Sequence, residues 1–299
     1  MSYEKIVSLV EEYGCKYEFS APMKKYVTMR VGGVADLLVK PNSKESLCGL
    51  VKLAKSENLP YYILGNGSNV IVNDEGIKGL VILISSDLSK ISVNDDTIEC
   101  EAGVTLSKLC LTALENELSG LEFAYGIPGT VGGAVYMNAG AYGCEISQVI
   151  ESCTYLDEDL SNKTVSAKKM DLSYRHSMFT DTSKVILSAK FKLDKKDKAE
   201  IKAKMDKNLT ARKTKQPLEY PSSGSTFKRP EGAYASKLIE DCGLKGMTVG
   251  GAQVSEKHSG FVINKGGATC EDILNLIAIV KQEVYDKTGF VLEEEVKII

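Results

Sequence analysis

The 299-residue sequence lacks any apolar run near the roughly 20 residues that span a bilayer. It also lacks an excess of one charge, because 37 Lys and Arg face 40 Asp and Glu for a net charge of −3. The first absence argues against membrane insertion, and the second argues against a nucleic-acid-binding protein. The start, Met1–Lys5, is not the basic start of a signal peptide, so we expect a cytoplasmic protein.

Metal-binding motifs are also missing. The chain has only two histidines, His176 and His258, and its eight cysteines include no C-x-x-C pair. Cysteines of cytoplasmic proteins are mostly small buried apolar residues. We therefore predict neither a disulfide framework nor a metal site.

Glycine, in contrast, is concentrated in one stretch. Six of the 26 glycines lie between Gly126 and Gly143. Each glycine costs about 0.5–1 kcal/mol in backbone entropy, so such density indicates positive φ angles or the close approach of another backbone or a ligand. Free N–H groups in such loops hold phosphate without basic side chains. The stretch predicts a large phosphate-bearing cofactor along the backbone or, alternatively, a tight connection between two packed elements.

A second polar loop, Gly65–Asn69, follows the predicted strand Tyr61–Leu64. It resembles the beginning of a dinucleotide-binding fingerprint, but Val70 stands at the third glycine position. The residues after it, 70–72, are typical of a strand and not of the helix that the fingerprint requires. We interpret the loop as one whose amides contact a pyrophosphate, with a simple turn as the alternative.

Apolar periodicity divides the chain into short elements. The pattern predicts helices over 2–13, 44–58, 105–118, 235–242 and 270–288, and an amphipathic helix with the stripe Ile201, Met205 and Leu209. It predicts strands over 37–40, 61–64, 70–72, 80–84, 91–93, 98–102, 149–156, 163–167, 185–193, 250–254, 260–263 and 294–298. Short mixed strands of this kind favour an α+β fold over a regular parallel array.

Three further stretches carry polar groups that folding alone does not require. In Leu172–Ser177, Arg175 is either functional or a surface residue. The loop Tyr220–Pro230 carries three serines and two basic residues, and a hydroxyl fixed there can hold an anion or pass a proton. In Glu293–Glu295, the outer two carboxylates share one side if the run is a strand, and a charged edge strand is the alternative.

Taken together, these stretches resemble the UDP-N-acetylenolpyruvoylglucosamine reductase family, flavin enzymes of bacterial peptidoglycan precursor synthesis. The resemblance covers about residue 20 to the last residue, with the motifs in the family's order. The motifs are Thr28–Gly33, Leu64–Asn69, Gly126–Gly133, Met137–Gly143, Ser173–Arg175, Ser223–Lys228 and Glu295-Val296. The resemblance implies an N-terminal helix (1–20), a two-part FAD-binding domain of the vanillyl-alcohol-oxidase (PCMH) type (21–195) and a smaller α+β substrate-binding domain (196–299).

The resemblance also implies roles for individual residues. Arg175 matches an arginine that stabilises the enol intermediate, Ser225 matches the serine that protonates the substrate, and Glu295 matches an acid near the C-terminus. The positions that match FAD-contacting residues are Gly65, Asn66, Gly67, Ser68, Asn69, Ile127, Pro128, Gly129, Thr130, Gly132, Gly133, Ala134, Gly140, Ala141 and Gly143. Those implied to contact substrate are Tyr174, Lys215, Lys228, Arg229 and His258. Residue types at 229 and 258 vary within the family.

The implied reaction takes a hydride from NADPH to FAD and then to UDP-N-acetylglucosamine enolpyruvate, forming UDP-N-acetylmuramate. We expect a monomer with small-molecule substrates and no nucleic-acid or membrane partner. The short distance from Arg175 to Val185 resembles the short form of the family, which lacks an extra loop bearing a tyrosine. Two alternatives stay open: another FAD-dependent oxidoreductase, such as a hydroxy-acid or sugar oxidase, and a non-catalytic module that binds sugar nucleotides.

Overall fold

A computed structural model describes residues 3–299, so Met1 and Ser2, where the predicted first helix begins, lie outside the described residues. The chain divides into two compact units, each built from three segments. The first unit comprises residues 3–19, Leu37–Asn66 and Gly79–Ala211. The second comprises Ser20–Asp36, Gly67–Lys78 and Arg212–Ile299. The continuous domains at 1–20, 21–195 and 196–299 stay a prediction.

Seven α-helices and eighteen strands are defined among the described residues. The helices are α1 (Glu4–Glu12), α2 (Lys44–Ser56), α3 (Leu106–Glu115), α4 (Val131–Tyr136), α5 (Lys198–Lys215), α6 (Ala235–Asp241) and α7 (Cys270–Thr288). The strands are β1 (Lys16–Pro22), β2 (Val34–Lys40), β3 (Tyr61–Leu64), β4 (Val70–Ile71), β5 (Ile77–Leu83), β6 (Ile91–Asn94), β7 (Thr97–Glu101), β8 (Leu118–Ser119), β9 (Gly140–Ala141), β10 (Cys144–Glu145), β11 (Ile150–Leu156), β12 (Asn162–Ser166), β13 (Val185–Lys192), β14 (Asp194–Lys195), β15 (Thr248–Val249), β16 (Ala252–Val254), β17 (Val262–Asn264) and β18 (Lys297–Ile298).

The first unit is built around an antiparallel sheet in the order β12-β11-β13-β7-β6. Helix α3 belongs to the same unit, and its apolar residues recur at the spacing of one helix face. Its buried residues are Leu106, Leu109, Cys110, Ala113 and Leu114. Thr105 begins this helix, because its side chain accepts a hydrogen bond from Lys108 N. The sequence of α3 therefore carries two local signals, an apolar face that packs into the core and a residue that caps the helix N-terminus.

The second unit packs α6 and α7 with the antiparallel sheet β15-β16-β17. Helix α7 begins with a capping box formed by Thr269 and Asp272 and ends at Gly289, whose φ is +75°. The carboxylate of Asp74 accepts hydrogen bonds from Cys270 N at 2.9 Å and Glu271 N at 3.0 Å. A negative charge at this position is stabilising, because the helix N-terminus carries unpaired N–H groups.

Most predicted elements are confirmed, and the boundaries of β3 and α7 match at both ends. The stripe on α5 is confirmed at Ile201 and Met205, which are buried, while its third member, Leu209, is only partly buried. The unpredicted strand β1 lies at the edge of a sheet in the order β1-β2-β5-β3 and is mostly exposed. An exposed edge strand needs no alternation of apolar residues, so its sequence carries little strand signal.

Two other predictions need correction. Part of the glycine-rich stretch is the short helix α4, because Thr130 caps it and accepts a hydrogen bond from Gly133 N. The predicted strand over 294–298 is regular only at β18, and Glu294 forms an isolated bridge with Phe227. No helix of the described part of the chain is both long and apolar enough to cross a membrane.

Candidate active site

In the first unit, the loop after β3 lies against the glycine-rich stretch. Asn66 Nδ2 donates a hydrogen bond to the carbonyl oxygen of Pro128 at 2.8 Å. A Cβ atom on Gly65 would lie 2.6 Å from Thr130 Oγ1, closer than real Cβ atoms come. Only glycine fits at position 65 without displacing Thr130. Two segments that the sequence predicts to contact FAD are thus adjacent.

The glycines of α4 serve two different purposes. A Cβ on Gly132 would lie 3.1 Å from the Cβ of Ala102, and Gly132 N donates to Ala102 O at 2.9 Å. At Gly133, the nearest atom to such a Cβ is Thr130 Oγ1, at 3.7 Å. The tight-connection alternative therefore explains Gly132. The surface at Gly133 stays open to a ligand.

Strands β9 and β10 form a hairpin with Tyr142 and Gly143 at its tip. Both residues have positive φ, +55° and +78°, as a two-residue type I′ turn requires. A Cβ on Gly140 would lie 2.6 Å from Cys144 O, so the paired strand excludes a side chain there. Tyr142 is 46% exposed, and its hydroxyl donates to Asn208 O at 2.8 Å. Tyr142 is absent from the predicted site, although its neighbours Ala141 and Gly143 are both predicted to contact FAD.

Arg175 lies in a second tight turn, in which Ser173 and His176 exchange main-chain hydrogen bonds of 3.2 and 3.1 Å. We call residues 173–176 the arginine turn. Arg175 has φ of +56°, a conformation that costs an L-residue about 1–2 kcal/mol. Its Nη2 donates to Gly140 O at 3.2 Å, and its guanidinium lies 4.9 Å from the Tyr174 ring centroid. These contacts disfavour the alternative of an unconstrained surface arginine.

Residues 177–184 alone connect the arginine turn to β13. Ser177 is buried, and Met178 N donates to Met170 O at 2.7 Å, which holds this connection to the protein. Tyr174 is 46% exposed. The segment is short, and Tyr174 is an exposed aromatic side chain beside Arg175.

In the second unit, Thr226 joins the loop Tyr220–Pro230 to the C-terminal run that contains Glu295. Thr226 N donates to Gly260 O at 2.8 Å, and its Oγ1 accepts from Val262 N at 3.0 Å. Its carbonyl oxygen accepts from Glu295 N at 2.8 Å. Because Ser225 directly precedes Thr226, these bonds bring the backbones of Ser225 and Glu295 close together. These two predicted catalytic residues, 70 positions apart in the chain, therefore lie in one neighbourhood.

The loop containing Gly67, Ser68 and Asn69 joins the same neighbourhood. Strand β18 pairs in parallel with β4, which follows this loop directly. Asn69 Nδ2 donates to Glu295 O at 3.0 Å. The predicted FAD-contacting residue Asn69 is therefore held against the predicted catalytic residue Glu295.

The other two glutamates of the C-terminal run are engaged by lysines. Glu293 Oε2 lies 3.2 Å from Lys228 Nζ, and Glu294 Oε1 lies 2.7 Å from Lys281 Nζ. Ion pairs with lysines therefore account for Glu293 and Glu294, although neither lies in the charged edge strand that was the alternative. Lys228 already has a carboxylate partner, while Lys215 is exposed at the last residue of α5.

Arg229 and His258 differ in their surroundings. The guanidinium of Arg229, an exposed residue, lies 4.6 Å from the Tyr234 ring centroid. His258 is half-buried, and its Nδ1 accepts a hydrogen bond from Gly260 N at 3.2 Å. Burial lowers the pKa of His258, and the positive charge of Lys245 lowers it further. Near neutral pH the ring is therefore neutral, with its proton on Nε2 as a donor.

This pKa shift predicts a pH-dependent stability. Because the folded pKa lies below the unfolded value of 6.5, the unfolded chain binds the proton more tightly. The free energy of unfolding should fall as pH drops below about 6.5, by at most about 1.4 kcal/mol per pH unit, and level off below the folded pKa. The contribution of His258 to the free energy of unfolding is measured by urea unfolding of the wild type and of His258→Gln at pH 7.5, 6.5 and 5.5, about one pH unit apart.

The control is His176→Gln, which removes the other histidine of the chain and leaves His258 in place. Comparing its slope between pH 7.5 and 5.5, about two pH units, with the slope of His258→Gln separates the two histidines. Equal slopes in the wild type and His258→Gln would contradict the assignment of this titration to His258.

The comparisons with known proteins agree along the chain. Residues 35–159 match the model for an FAD binding domain, and residues 216–299 match the model for the C-terminal domain of UDP-N-acetylenolpyruvoylglucosamine reductase. The chain is 53% identical to UDP-N-acetylenolpyruvoylglucosamine reductase of Clostridium novyi over 93% of this chain and 90% of the relative. The corresponding protein of Clostridioides difficile is 48% identical over 93% of this chain and 91% of its own.

A solved structure agrees with these sequence matches. The crystal structure of UDP-N-acetylenolpyruvylglucosamine reductase from Thermus caldophilus superposes with a TM-score of 0.77. The two sequences are 33% identical, and the match covers 95% of this chain and 98% of that one. The chain belongs to the UDP-N-acetylenolpyruvoylglucosamine reductase family.

Proposed function

We propose that the protein reduces the enolpyruvyl group of UDP-N-acetylglucosamine enolpyruvate to the lactyl ether of UDP-N-acetylmuramate. NADPH is the proposed electron source and FAD the carrier. Family membership and the matched FAD binding domain support the proposal. The observation that carries it is the conformation of Arg175, which holds a positive φ and contacts Gly140 of the glycine-rich region.

The residues of the first unit fit FAD. The loop at Gly65 and Asn66 and the stretch from Ile127 to Ala134 approach so closely that a side chain at Gly65 is excluded. The N–H groups of Gly132 and Gly133 are already bonded, to Ala102 O and Thr130 Oγ1, so we propose that other main-chain N–H groups of these loops contact the phosphates, at the surface left open at Gly133. Bound FAD supplies hydride transfer from NADPH to the substrate. We propose that Gly140, Ala141 and Gly143 contact it from the hairpin.

Arg175 is proposed to stabilise the charge that develops on the substrate. Hydride addition to one vinyl carbon places negative charge on the neighbouring carbon and its carboxylate. A guanidinium remains charged and binds a carboxylate through two parallel hydrogen bonds. Charge stabilisation that is strongest in the transition state lowers the barrier. The contacts of Arg175 with Gly140 and Tyr174 restrict its orientation before substrate binds.

Ser225 is proposed to deliver a proton to the carbanionic carbon. The hydrogen bonds of Thr226 hold the adjacent backbone, so the Ser225 hydroxyl starts from a restricted position. A serine is a weak acid by itself, and a cation near it favours proton release. Lys215 is the proposed cation, because Lys228 forms an ion pair with Glu293. Glu295 is proposed to act as a protonated acid or through a hydrogen bond.

The remaining proposed substrate contacts are Tyr174, Lys228, Arg229 and His258. A sugar nucleotide carries a diphosphate, which suits the basic residues, and hydroxyl groups, which accept a hydrogen bond from neutral His258 Nε2. We also propose that the protein is a monomer and that, because its proposed substrates NADPH and a sugar nucleotide are cytoplasmic metabolites, it acts in the cytoplasm.

The test is an anaerobic stopped-flow experiment at the flavin absorbance band. The purified protein is reduced with NADPH and then mixed with UDP-N-acetylglucosamine enolpyruvate. We expect bleaching, followed by return of the band that depends on the enolpyruvyl substrate. Such a result establishes both half-reactions in a single preparation.

Two other outcomes would contradict the proposal. A band that returns only with oxygen would indicate another oxidoreductase on the same FAD-binding fold. No band even after added FAD, together with binding of a UDP-sugar, would indicate a non-catalytic binding module. Each outcome corresponds to one of the alternatives left open by the sequence.

A further inference from the structure

Asn138 is a buried polar residue without a role in the proposed mechanism. Its exposed fraction is 0%, and its φ is +41°, a left-handed conformation that asparagine tolerates better than most residues. Its side-chain amide is hydrogen-bonded at both ends. Oδ1 accepts from Ser147 N at 2.9 Å, and Nδ2 donates to Ser173 O at 2.9 Å.

These two partners lie at the ends of the segments that meet at Arg175. Ser147 follows the hairpin of β9 and β10, and Ser173 is the first residue of the arginine turn. Arg175 Nη2 donates to Gly140 O in the same hairpin. One buried amide therefore connects the hairpin that accepts the guanidinium hydrogen bond with the turn that presents the guanidinium.

A second buried residue holds the other end of the arginine turn. Ser177 is also 0% exposed, and its Oγ donates to Tyr136 O at 2.7 Å. Tyr136 is the last residue of α4, two positions before Asn138. The arginine turn is thus attached on both sides to the segment that runs from α4 into the hairpin.

A buried amide between two main-chain groups is a directional constraint. Both hydrogen bonds depend on the amide plane, so a small movement of the turn breaks at least one of them and leaves a buried polar group unpaired. A guanidinium group that binds a carboxylate through two hydrogen bonds must be placed within about 0.5 Å of its working position. The buried side chain of Asn138 restrains the position of the arginine turn through its hydrogen bond to Ser173 O, out of contact with solvent.

We propose that Asn138 is a positioning residue that fixes the direction of the Arg175 guanidinium through the main chain of Ser173. This inference rests on the proposed function of Arg175. Asn138 acts on one half-reaction alone: it is needed when the enolpyruvyl carboxylate is bound, and the reduction of flavin by NADPH proceeds without it.

The test uses Asn138→Asp and Asn138→Gly. The aspartate has the same shape and tolerates positive φ, but it replaces the donor to Ser173 O with an oxygen, while glycine removes the amide without backbone strain. Asn138→Asp keeps an oxygen acceptor for Ser147 N and with it the hairpin, so it should bind FAD and be reduced by NADPH at the wild-type rate. Reoxidation by the enolpyruvyl substrate should slow by about 100-fold, the effect of misplacing a positioned group by about 1 Å.

A double-variant comparison separates positioning from general damage. Asn138→Asp combined with Arg175→Ala should be reoxidised no more than about twofold more slowly than Arg175→Ala alone, because the positioned group is already absent. Ser177→Ala provides a second route if the Asn138 variants do not fold. It loosens the other end of the turn and should slow reoxidation in the same selective way.

Four results would overturn the inference. Equal slowing of both half-reactions by Asn138→Asp would show a structural role only, and so would a loss that multiplies fully with that of Arg175→Ala. Wild-type reoxidation in a folded Asn138→Gly or Ser177→Ala would remove the restraint from the mechanism. If the wild type itself is not reoxidised by the enolpyruvyl substrate, the proposed function fails first and the inference fails with it.

Discussion

Arg175→Lys should lower the rate at which the enolpyruvyl substrate reoxidises the reduced flavin by about 10²–10³-fold. Lysine keeps the positive charge but presents a point charge in place of a planar fork, so it cannot form two parallel hydrogen bonds to a carboxylate. It also loses the bond from Nη2 to Gly140 O that orients the side chain. FAD content and reduction by NADPH should be unchanged, because the turn itself remains.

The measurement is single-turnover stopped flow, which records the two half-reactions separately. Arg30→Lys is a matched control: Arg30 is also an arginine with positive φ, +58°, and it is exposed. The control should leave both half-reactions as in the wild type. Near-normal reoxidation of Arg175→Lys would remove the bidentate contact from the mechanism.

The second large effect is expected at Ser225. Ser225→Ala should bind FAD and accept electrons from NADPH normally, but its reoxidation by the enolpyruvyl substrate should fall by about 10²–10⁴-fold. The reason is that protonation of the carbanionic carbon loses its donor, while the hydrogen bonds of Thr226 keep the loop in place. The reaction then depends on protons delivered from solvent.

Ser223→Ala is the matched control in the same loop. The Ser223 hydroxyl is buried and donates to Val70 O at 2.9 Å, so its loss should lower the free energy of unfolding by about 1 kcal/mol. Chemistry should be retained in this variant once it is folded. If Ser225→Ala instead lost reduction by NADPH and kept the second half-reaction, the proton-donor role would be wrong.

The sequence predicted the regular elements well where signals are local. Helix α7 is an example, because its apolar periodicity, its cap at Thr269 and Gly289 after its last turn all lie within the segment. The weakest prediction concerned Glu293–Glu295, three carboxylates inside a strand-like run. The structure forms only one bridge there, and the hydrogen bonds are made with Thr226 and Asn69, which are distant in the chain.

The predicted site residues were chosen through motifs, and their assigned roles stay predictions. The motifs could not reveal which residues connect one motif to another through side-chain hydrogen bonds. Asn138 lies inside the Met137–Gly143 motif, but nothing in the motif indicates that its amide reaches Ser173, 35 positions later. The contact of Tyr142 with Asn208 could not be predicted for the same reason, since the two residues are 66 positions apart.

By itself, the sequence determined the α+β class, most helices and strands, the glycine-rich stretch and the family resemblance, because each depends on residues that are neighbours or on ordered motifs. Tertiary structure alone decided that Gly65 lies against Thr130, that Asn69 is held to Glu295, and that Arg175 contacts Gly140. The physical reason is that these contacts join segments 35 to 226 residues apart. Their formation depends on how the sheets and loops pack, and no local pattern encodes that packing.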